Sequence, residues 1–235
     1  MVIVTTLYNA EKYIEKCISS LIAQTYKEFT CYITDDMSTD RSLELAKAII
    51  KEDPRFILIE NKSKLYQTGN YDQVIRNNQS ISDNEVIVEV DGDDWLPDAD
   101  TLKRIHNTYL DETIWIANGS FEFSTGKAGF AAKQTNFKHL RESRFTASHI
   151  RTWRAFLWRK IKQTDLKDEE GNWWKVTGDL AFMYPMLEMA GEQRYKFMED
   201  INYVYNELNP INEHKVYMTN ETIRKIRRLP AYSQI

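Results

Sequence analysis

Cysteine, turn-forming residues and long apolar runs are all scarce in this sequence of 235 residues. It contains 2 cysteines, 8 glycines and 5 prolines, which excludes a disulfide-stapled scaffold, a collagen-like chain and a low-complexity segment. No apolar run approaches the roughly 20 residues that a membrane-spanning helix needs. Strand-like sequence begins at Val2, without the features of a signal peptide. We therefore expect a soluble, cytoplasmic globular protein without a transmembrane segment.

An excess of one charge is also missing. The 31 Lys and Arg residues nearly balance 35 Asp and Glu residues, for a net charge of −4. This balance disfavours a nucleic-acid partner. The basic stretch from Ile223 to Arg228 is either a peripheral membrane contact to anionic lipid or a solvated helix face. Cys17 and Cys31 show no metal-ligand spacing and are predicted to be reduced core residues.

Short β-branched runs alternate with helical periodicity over the first hundred residues. This alternation predicts right-handed crossovers and an α/β fold with a mostly parallel central sheet. Strands are predicted at 2–4, 29–34, 56–59 and 86–88. Helices are predicted at 13–22 with Asn9 as N-cap, at 42–51 entered through Ser38 and Thr39, and at 71–77.

The pattern loosens after about residue 100. A helix is expected around 102–109, followed by strands at 114–116 and 121–123 and a loop-rich stretch at 126–151. Apolar residues at helical spacing then predict helices at 151–161 and 180–190, the second containing Pro185. We expect one domain, in which residues 1–100 form a nucleotide-binding half and residues 101–235 an elaborated second half.

Three carboxylates follow the fourth predicted strand within four residues, in Asp91-Gly92-Asp93-Asp94. Ligands of parallel sheets bind beyond the carboxyl ends of the strands, where this cluster falls. Mutually repelling carboxylates are most easily kept ionised by a cation, and oxygen ligands favour Mg²⁺ or Mn²⁺ bridged to a diphosphate. The alternative is an acidic surface turn. An EF-hand is excluded, because position six counted from Asp91 is Leu96 and not glycine.

A second acidic pair, Asp35-Asp36, ends the second predicted strand. Carboxylates at such a position can accept hydrogen bonds from a nucleobase or a ribose. The polar residues that follow, up to Asp40, are equally explained as caps of the next helix. The glycine-rich fingerprint of dinucleotide-binding folds is absent before the first helix.

Four sequence blocks occur together and in order: Thr5–Ile14, Ser19–Tyr26, Asp35–Asp40 and Asp91–Pro97. In this combination the first hundred residues resemble a family 2 glycosyltransferase. The resemblance implies the GT-A fold, a Rossmann-like, mostly parallel sheet with helices on both faces and an acceptor-binding C-terminal half. It also implies an inverting transferase that moves a sugar from a nucleoside diphosphate, with a UDP-sugar favoured, to the hydroxyl of a glycan, glycolipid or protein.

The resemblance assigns roles residue by residue. Thr6, Tyr8, Asp36 and Asp35 would contact the base, and Asp91 the ribose or a metal-bound water. Asp93, with Asp91, would hold Mn²⁺ or Mg²⁺ against the diphosphate. Processive family members carry membrane helices and a Gln-x-x-Arg-Trp motif, and neither pattern occurs here. The resemblance therefore implies a non-processive enzyme of the hexosyltransferase type.

The family's catalytic base is an acidic residue ahead of a helix in the second half, and Asp179 matches it best. A carboxylate is ionised at neutral pH and can accept the acceptor proton. Asp179 could equally be the N-cap of the helix that starts at Leu180. His214, in a C-terminal loop of a kind that closes over the donor in this fold, is a candidate metal or diphosphate contact or simply a surface residue.

Two adjacent indoles, Trp173 and Trp174, are candidates for acceptor binding, because aromatic faces stack on sugar rings; core packing is the alternative for either. A catalytically silent nucleotide-sugar or glycan-binding module on the same fold is the rival interpretation, since family members often carry paired acids where this sequence has only Asp179. A nucleotidyltransferase on a similar sheet is disfavoured, because no basic, glycine-rich phosphate loop lies near Thr6.

Overall fold

A seven-stranded sheet forms the centre of the molecule in the computed structural model, which describes residues 1–211 and 220–235. The strands lie in the order β3-β2-β1-β4-β6-β5-β7. Their bounds are β1 Val2–Leu7, β2 Thr30–Asp35, β3 Phe56–Glu60, β4 Val86–Glu89, β5 Ile116–Phe123, β6 Arg151–Arg154 and β7 Tyr195–Tyr205.

Most neighbouring strands run parallel. Strands β3, β2, β1 and β4 pair in parallel, as do β5 and β7. Strand β6 is antiparallel to both of its neighbours, β4 and β5. The expected α/β class and mostly parallel sheet are confirmed. The carboxyl ends of β1, β2 and β4 consequently meet at one edge of the sheet, beside the start of β6.

Helices cover both faces of the sheet, as predicted. Alternate residues of each strand point to opposite faces, so Val2 and Val4 join one hydrophobic cluster while Ile3 and Leu7 join the other. Helices α1, α2 and α4 pack on the second cluster, and α3, α5, α6 and α7 on the first. Their bounds are α1 Ile14–Ile22, α2 Ser42–Ile50, α3 Tyr66–Ile75, α4 Thr101–Thr108, α5 Ala155–Lys160, α6 Gly178–Ala190 and α7 Asn220–Arg228.

The second half departs from its predicted elements. The predicted helix at 151–161 is wrong over its first turn, because Arg151–Arg154 forms β6 and only Ala155–Lys160 is helical. Trp153, Leu157 and Trp158 belong to one buried cluster, and this shared burial produced the helical spacing. The two strands expected around residue 120 are one continuous strand, β5. Strand β7 was not predicted.

The predicted caps Asn9, Ser38 and Thr39 are wrong, because these side chains connect loops to each other. The Asn9 Oδ1 atom accepts a hydrogen bond from the Thr39 N–H at 2.7 Å, and the Asn9 N–H donates to Ser38 Oγ at 3.1 Å. These contacts tie the end of β1 to the end of β2.

Cys17 and Cys31 are buried and unbridged, as expected. Every helix in the described residues is too short or too polar to cross a membrane.

Candidate active site

A cavity of about 620 Å³ opens where the carboxyl ends of β1, β2 and β4 meet the start of α6. Four predicted nucleotide residues line it, together with the predicted metal ligand Asp93 and the predicted base Asp179. The four nucleotide residues are Thr6, Tyr8, Asp36 and Asp91. The structure therefore brings together side chains that are up to 173 positions apart in the chain, from Thr6 to Asp179.

The acidic turn sits directly against the end of β1. The Gly92 N–H donates to the carbonyl oxygen of Thr6 at 2.9 Å, and a Cβ at Gly92 would lie 2.8 Å from that oxygen, so only glycine fits there. The Thr6 hydroxyl donates to Asp91 Oδ1 at 3.2 Å. On the other side, the Asn209 amide donates to Asp93 Oδ2 at 2.7 Å.

The electrostatics of this turn suit a cation. Burial raises the pKa of Asp91 well above its usual range, and the neighbouring charges of Glu89 and Asp93 add to the shift while Arg151 opposes it. Burial likewise raises the pKa of Asp93, opposed by its hydrogen bond from Asn209. A divalent ion would relieve this repulsion and stabilise both carboxylates in their ionised form.

Asp94 does not share that role, which corrects the view of three equivalent carboxylates. Its side chain is 1% exposed, is absent from the cavity lining, and accepts a hydrogen bond from the Asn206 N–H at 2.7 Å. Burial, followed by the charges of Asp93 and Asp91, raises its pKa well above the usual range. Asp94 therefore anchors the turn to the end of β7.

Asp36 organises the loop that precedes α3. Its Oδ1 accepts the Leu65 N–H at 2.8 Å, its Oδ2 accepts the Tyr66 N–H at 3.0 Å, and Lys64 Nζ lies 3.4 Å away. Asp35 is buried beside it and is not among the lining residues; it accepts a hydrogen bond from the Ser38 N–H. Of the acidic pair, only Asp36 faces the cavity.

Tyr8 carries a cation over its ring. Its side chain is 43% exposed, and Lys64 Nζ lies 2.8 Å from the ring centroid. Burial lowers the pKa of Lys64, and the charge of Asp36 opposes that shift. Lys64 thus connects Asp36 to Tyr8 and adds positive charge to the part of the cavity formed by β1 and β2.

Asp179 is held from two directions. Its Oδ1 accepts the N–H of the next residue, Leu180, at 3.0 Å. Because α6 begins at Gly178, Asp179 lies in the first turn of the helix and is not its N-cap, which corrects the capping alternative. Its Oδ2 accepts a hydrogen bond from Arg151 Nη2 at 2.8 Å. The same guanidinium donates to Glu89 Oε1 at 2.6 Å, and Glu89 is fully buried. The Asp179 side chain remains 27% exposed, which leaves it accessible from the cavity.

Sequence reasoning missed Arg151, Glu89 and His149. Glu89, Asp91 and His149 place ligand-type atoms within 4.8 Å of one another, and the His149 ring stacks on Tyr203 at 4.6 Å. The sequence does contain a signal for Glu89, because this charged residue directly follows the apolar run Val86–Val88. His149 and Arg151 lay in or beside a stretch interpreted as loop. His214 falls outside the described residues.

Trp173 and Trp174 do not line the cavity. The Trp174 ring is 6% exposed, and its Nε1–H donates to the Asp165 carbonyl oxygen at 3.0 Å. Trp173 is partly buried against Gly69, where a Cβ would lie 2.8 Å from the indole. The structure favours the core alternative for both rings. Because Gly69 has no side chain, the Trp173 indole can pack against it while Trp174 packs in the core.

Comparison with known proteins identifies related sequences. The model of the family described as "Glycosyl transferase family 2" matches residues 2–179. The putative glycosyltransferase EpsH of Bacillus subtilis is 24% identical over 230 residues, which cover 97% of this chain and 64% of EpsH. The glycosyltransferase GlyA of Streptococcus pneumoniae is 31% identical over 123 residues, which cover 51% of this chain and 16% of GlyA. The chain thus spans less than two thirds of either relative.

Solved structures share the fold. TarS of S. aureus, crystallised with UDP-GlcNAc, has a TM-score of 0.67 at 15% identity, over 96% of this chain and 63% of that one. The mannosyltransferase PcManGT of Pyrobaculum calidifontis, in complex with GDP-Man and Mn²⁺, has a TM-score of 0.56 at 15% identity, over 90% and 57% of the two chains. These likenesses confirm the expected GT-A type of fold.

Proposed function

The chain belongs to glycosyltransferase family 2, and from that premise we propose that it transfers a sugar from a nucleoside diphosphate donor to an acceptor hydroxyl with inversion. The supporting observation is that one cavity combines the acidic turn at Asp91 and Asp93 with the carboxylate of Asp179. Residues 1–100 would bind the donor, and residues 101–235 would supply most of the acceptor side.

The donor would enter with its base between Tyr8 and Asp36. The Tyr8 face offers stacking or packing, and the Thr6 side chain lies beside it on the same strand end. Asp36 holds the loop that carries Lys64 and Tyr66, so its contribution is the shape of the base pocket as well as a direct contact. A UDP-sugar is the favoured donor, supported by the UDP-GlcNAc complex of TarS.

Asp91 and Asp93 fit a divalent cation by the chemistry of their oxygen donors and by the burial that raises their pKa values. Mn²⁺ or Mg²⁺ is the proposed ion, and PcManGT was solved with Mn²⁺. Such an ion would offset the negative charge that the leaving diphosphate gains. Asn209 fixes Asp93 for this purpose through its hydrogen bond to Oδ2.

Asp179 is the proposed base. Inversion requires the acceptor oxygen to attack the anomeric carbon from the side opposite the diphosphate, while a base on the acceptor side takes the hydroxyl proton. Asp179 stands at the start of α6, in the half of the chain that does not carry the acidic turn. Because its carboxylate is anchored by Arg151, its direction is set before an acceptor binds.

The stereochemistry of the product tests this proposal. Purified protein would be incubated with Mn²⁺, α-linked UDP-sugars and a panel of sugar and lipid-linked acceptors, and the anomeric proton of the product would be followed by NMR. We expect a β-linked product and release of UDP. An α-linked product would contradict inversion. Absence of both transfer and donor hydrolysis, with UDP still bound, would identify a silent binding module instead.

A further inference from the structure

Two buried arginines lie three residues apart in β6 and have different partners. The Arg151 side chain is 4% exposed and joins Glu89 of β4 to Asp179 of α6. Arg154 is 8% exposed. Within residues 1–211 and 220–235, its guanidinium donates hydrogen bonds to three backbone carbonyl oxygens, those of Ile114, Asn84 and Tyr109, and to no side chain. The same strand therefore provides one arginine at the cavity and one away from it.

Arg151 reaches both carboxylates with different nitrogens. Nη1 donates to Glu89 Oε1 at 2.6 Å and Nη2 donates to Asp179 Oδ2 at 2.8 Å. A planar guanidinium holds its nitrogens in a fixed relative geometry, which a lysine ammonium cannot reproduce. The guanidinium therefore connects the Asp179 carboxylate to Glu89 through a single rigid group.

Glu89 is itself fixed by the sheet. Val88 pairs with Thr152 in the antiparallel ladder between β4 and β6, so Glu89 and Arg151, one residue beyond each, are cross-strand neighbours. The Gln67 amide donates to the same Glu89 oxygen at 2.9 Å. Buried ion pairs often contribute nothing net to stability, because desolvation offsets the attraction. Folding energy alone therefore gives little reason for this arrangement.

We propose that Arg151 is a positioning residue for the transfer reaction: anchored by Glu89, it directs the carboxylate of Asp179 toward the acceptor hydroxyl. The inference rests on the proposed function, in which Asp179 is the base. Since Glu89 lies two residues before Asp91 on the same chain segment, the connection also fixes the base relative to the acidic turn. The donor side and the acceptor side of the cavity would then both be positioned by the paired strands β4 and β6.

Arg151→Lys tests the proposal, because it keeps the positive charge but removes the planar guanidinium that contacts both carboxylates. We expect kcat for transfer to fall by about a hundredfold, the scale of loss for a misplaced catalytic group. The KM for the donor should stay within about twofold, since transition-state interactions affect kcat and not ground-state binding. Arg154→Lys is the matched control and should leave kcat within about twofold. A similar kcat loss in Arg154→Lys would overturn the inference.

A double-mutant comparison separates positioning from a general structural effect. If Arg151 acts through Asp179, adding Arg151→Lys to Asp179→Asn should lower the residual kcat by less than about twofold, because residues that act as a unit are not additive. A full further loss in that background would overturn the positioning role while leaving Asp179 as the base. Unchanged turnover in Asp179→Asn alone would instead remove the base assignment, and this inference with it.

Glu89→Gln covers the case in which Arg151→Lys does not fold, as judged by circular dichroism and UDP binding. The amide oxygen still accepts a hydrogen bond from Arg151, but the attraction between charges is lost. We expect a kcat loss of about tenfold with an unchanged donor KM, the range seen when a supporting residue is altered. Loss of donor binding in a folded Glu89→Gln protein would contradict the proposal.

Discussion

The two walls of the cavity are held by different kinds of contact. The wall formed by Thr6, Asp36 and Asp91 lies at neighbouring strand ends and is fixed largely by backbone groups, such as the Leu65 and Tyr66 N–H donors to Asp36. The opposite wall at Asp179 depends on a side-chain network whose members are 28 and 62 positions from Arg151 in sequence. Backbone geometry therefore supports one wall, and buried charges support the other.

This contrast separates binding from chemistry. Changes on the strand-end wall should act mainly on donor affinity or on local stability, because that wall forms the proposed nucleotide pocket. Changes on the network wall should act mainly on turnover. The following substitutions test the contrast, beginning with the largest expected effect.

Asp179→Asn should lower kcat for transfer by about a thousandfold, since a positioned base contributes in that range. Donor affinity, measured by calorimetry with UDP and Mn²⁺, should change less than about twofold. Glu188→Gln is the control, because Glu188 lies on the same helix and pairs with partly buried Arg141 outside the cavity. Its kcat should be preserved even if its melting temperature falls. Parallel losses of affinity and turnover in Asp179→Asn would erase the distinction between the walls.

Asp93→Asn should weaken UDP binding in the presence of Mn²⁺ by about a hundredfold, comparable with the loss of a metal-site residue. Titrations without metal should show a much smaller difference between variant and wild type. Asp94→Asn provides a neighbouring control, because Asp94 contacts the Asn206 N–H away from the cavity. That variant should retain the Mn²⁺ effect. Equal Mn²⁺ dependence in wild type and Asp93→Asn would remove the metal from the proposal.

Asp36→Ala should lower the free energy of unfolding by about 3 kcal/mol, because two partly buried N–H donors lose a charged acceptor. Urea denaturation measures the change, and UDP affinity should fall with it as the loop loosens. Asp83→Ala is the surface comparison: Asp83 pairs with Arg159 but its side chain is 71% exposed. Asp83→Ala should lower the free energy of unfolding by less than about 1 kcal/mol. Equal losses of unfolding free energy in the two variants would show that Asp36 does not hold the loop.

Tyr8→Leu should weaken UDP binding by about fivefold, corresponding to roughly 1 kcal/mol for a lost aromatic face or cation–π contact. Tyr8→Phe keeps the ring under Lys64 and should bind UDP within about twofold of wild type. Both affinities can be measured by the same calorimetric titration. If Tyr8→Phe and Tyr8→Leu weakened UDP binding equally, the Tyr8 hydroxyl and not its ring would be the contact.

Much of the strand-end wall could be predicted from sequence. Four β-branched runs separated by helical periodicity predict parallel strands, and parallel strands bring their carboxyl ends to one edge. Asp36 and Asp91 follow from that rule without knowledge of any side-chain contact, and Thr6 follows from the family resemblance. Family membership, indicated by the four ordered blocks, is confirmed by the match over residues 2–179. The inward orientation of Asp36 and not Asp35 was beyond this reasoning.

The network wall could not be predicted in this way. Arg151 begins a strand of only four residues that separates β4 from β5, and its sequence was interpreted as a helix because Trp153 and Leu157 share a face of the core. Strand β7, which supplies the Tyr203 ring beneath His149, has charged and exposed residues in its middle, which interrupt its apolar pattern. Both depend on pairing with distant segments.

The sequence alone determined the order of helices and strands in the first hundred residues, the chemical types at the strand ends and the family to which they point. These properties follow from local periodicity and short crossover connections, which neighbouring residues encode. Only the tertiary structure decided that Arg151 bridges Glu89 and Asp179 and that Asp94 faces away from Asp91 and Asp93. Charge pairing and burial depend on distances in space between remote segments, so no local pattern reports them.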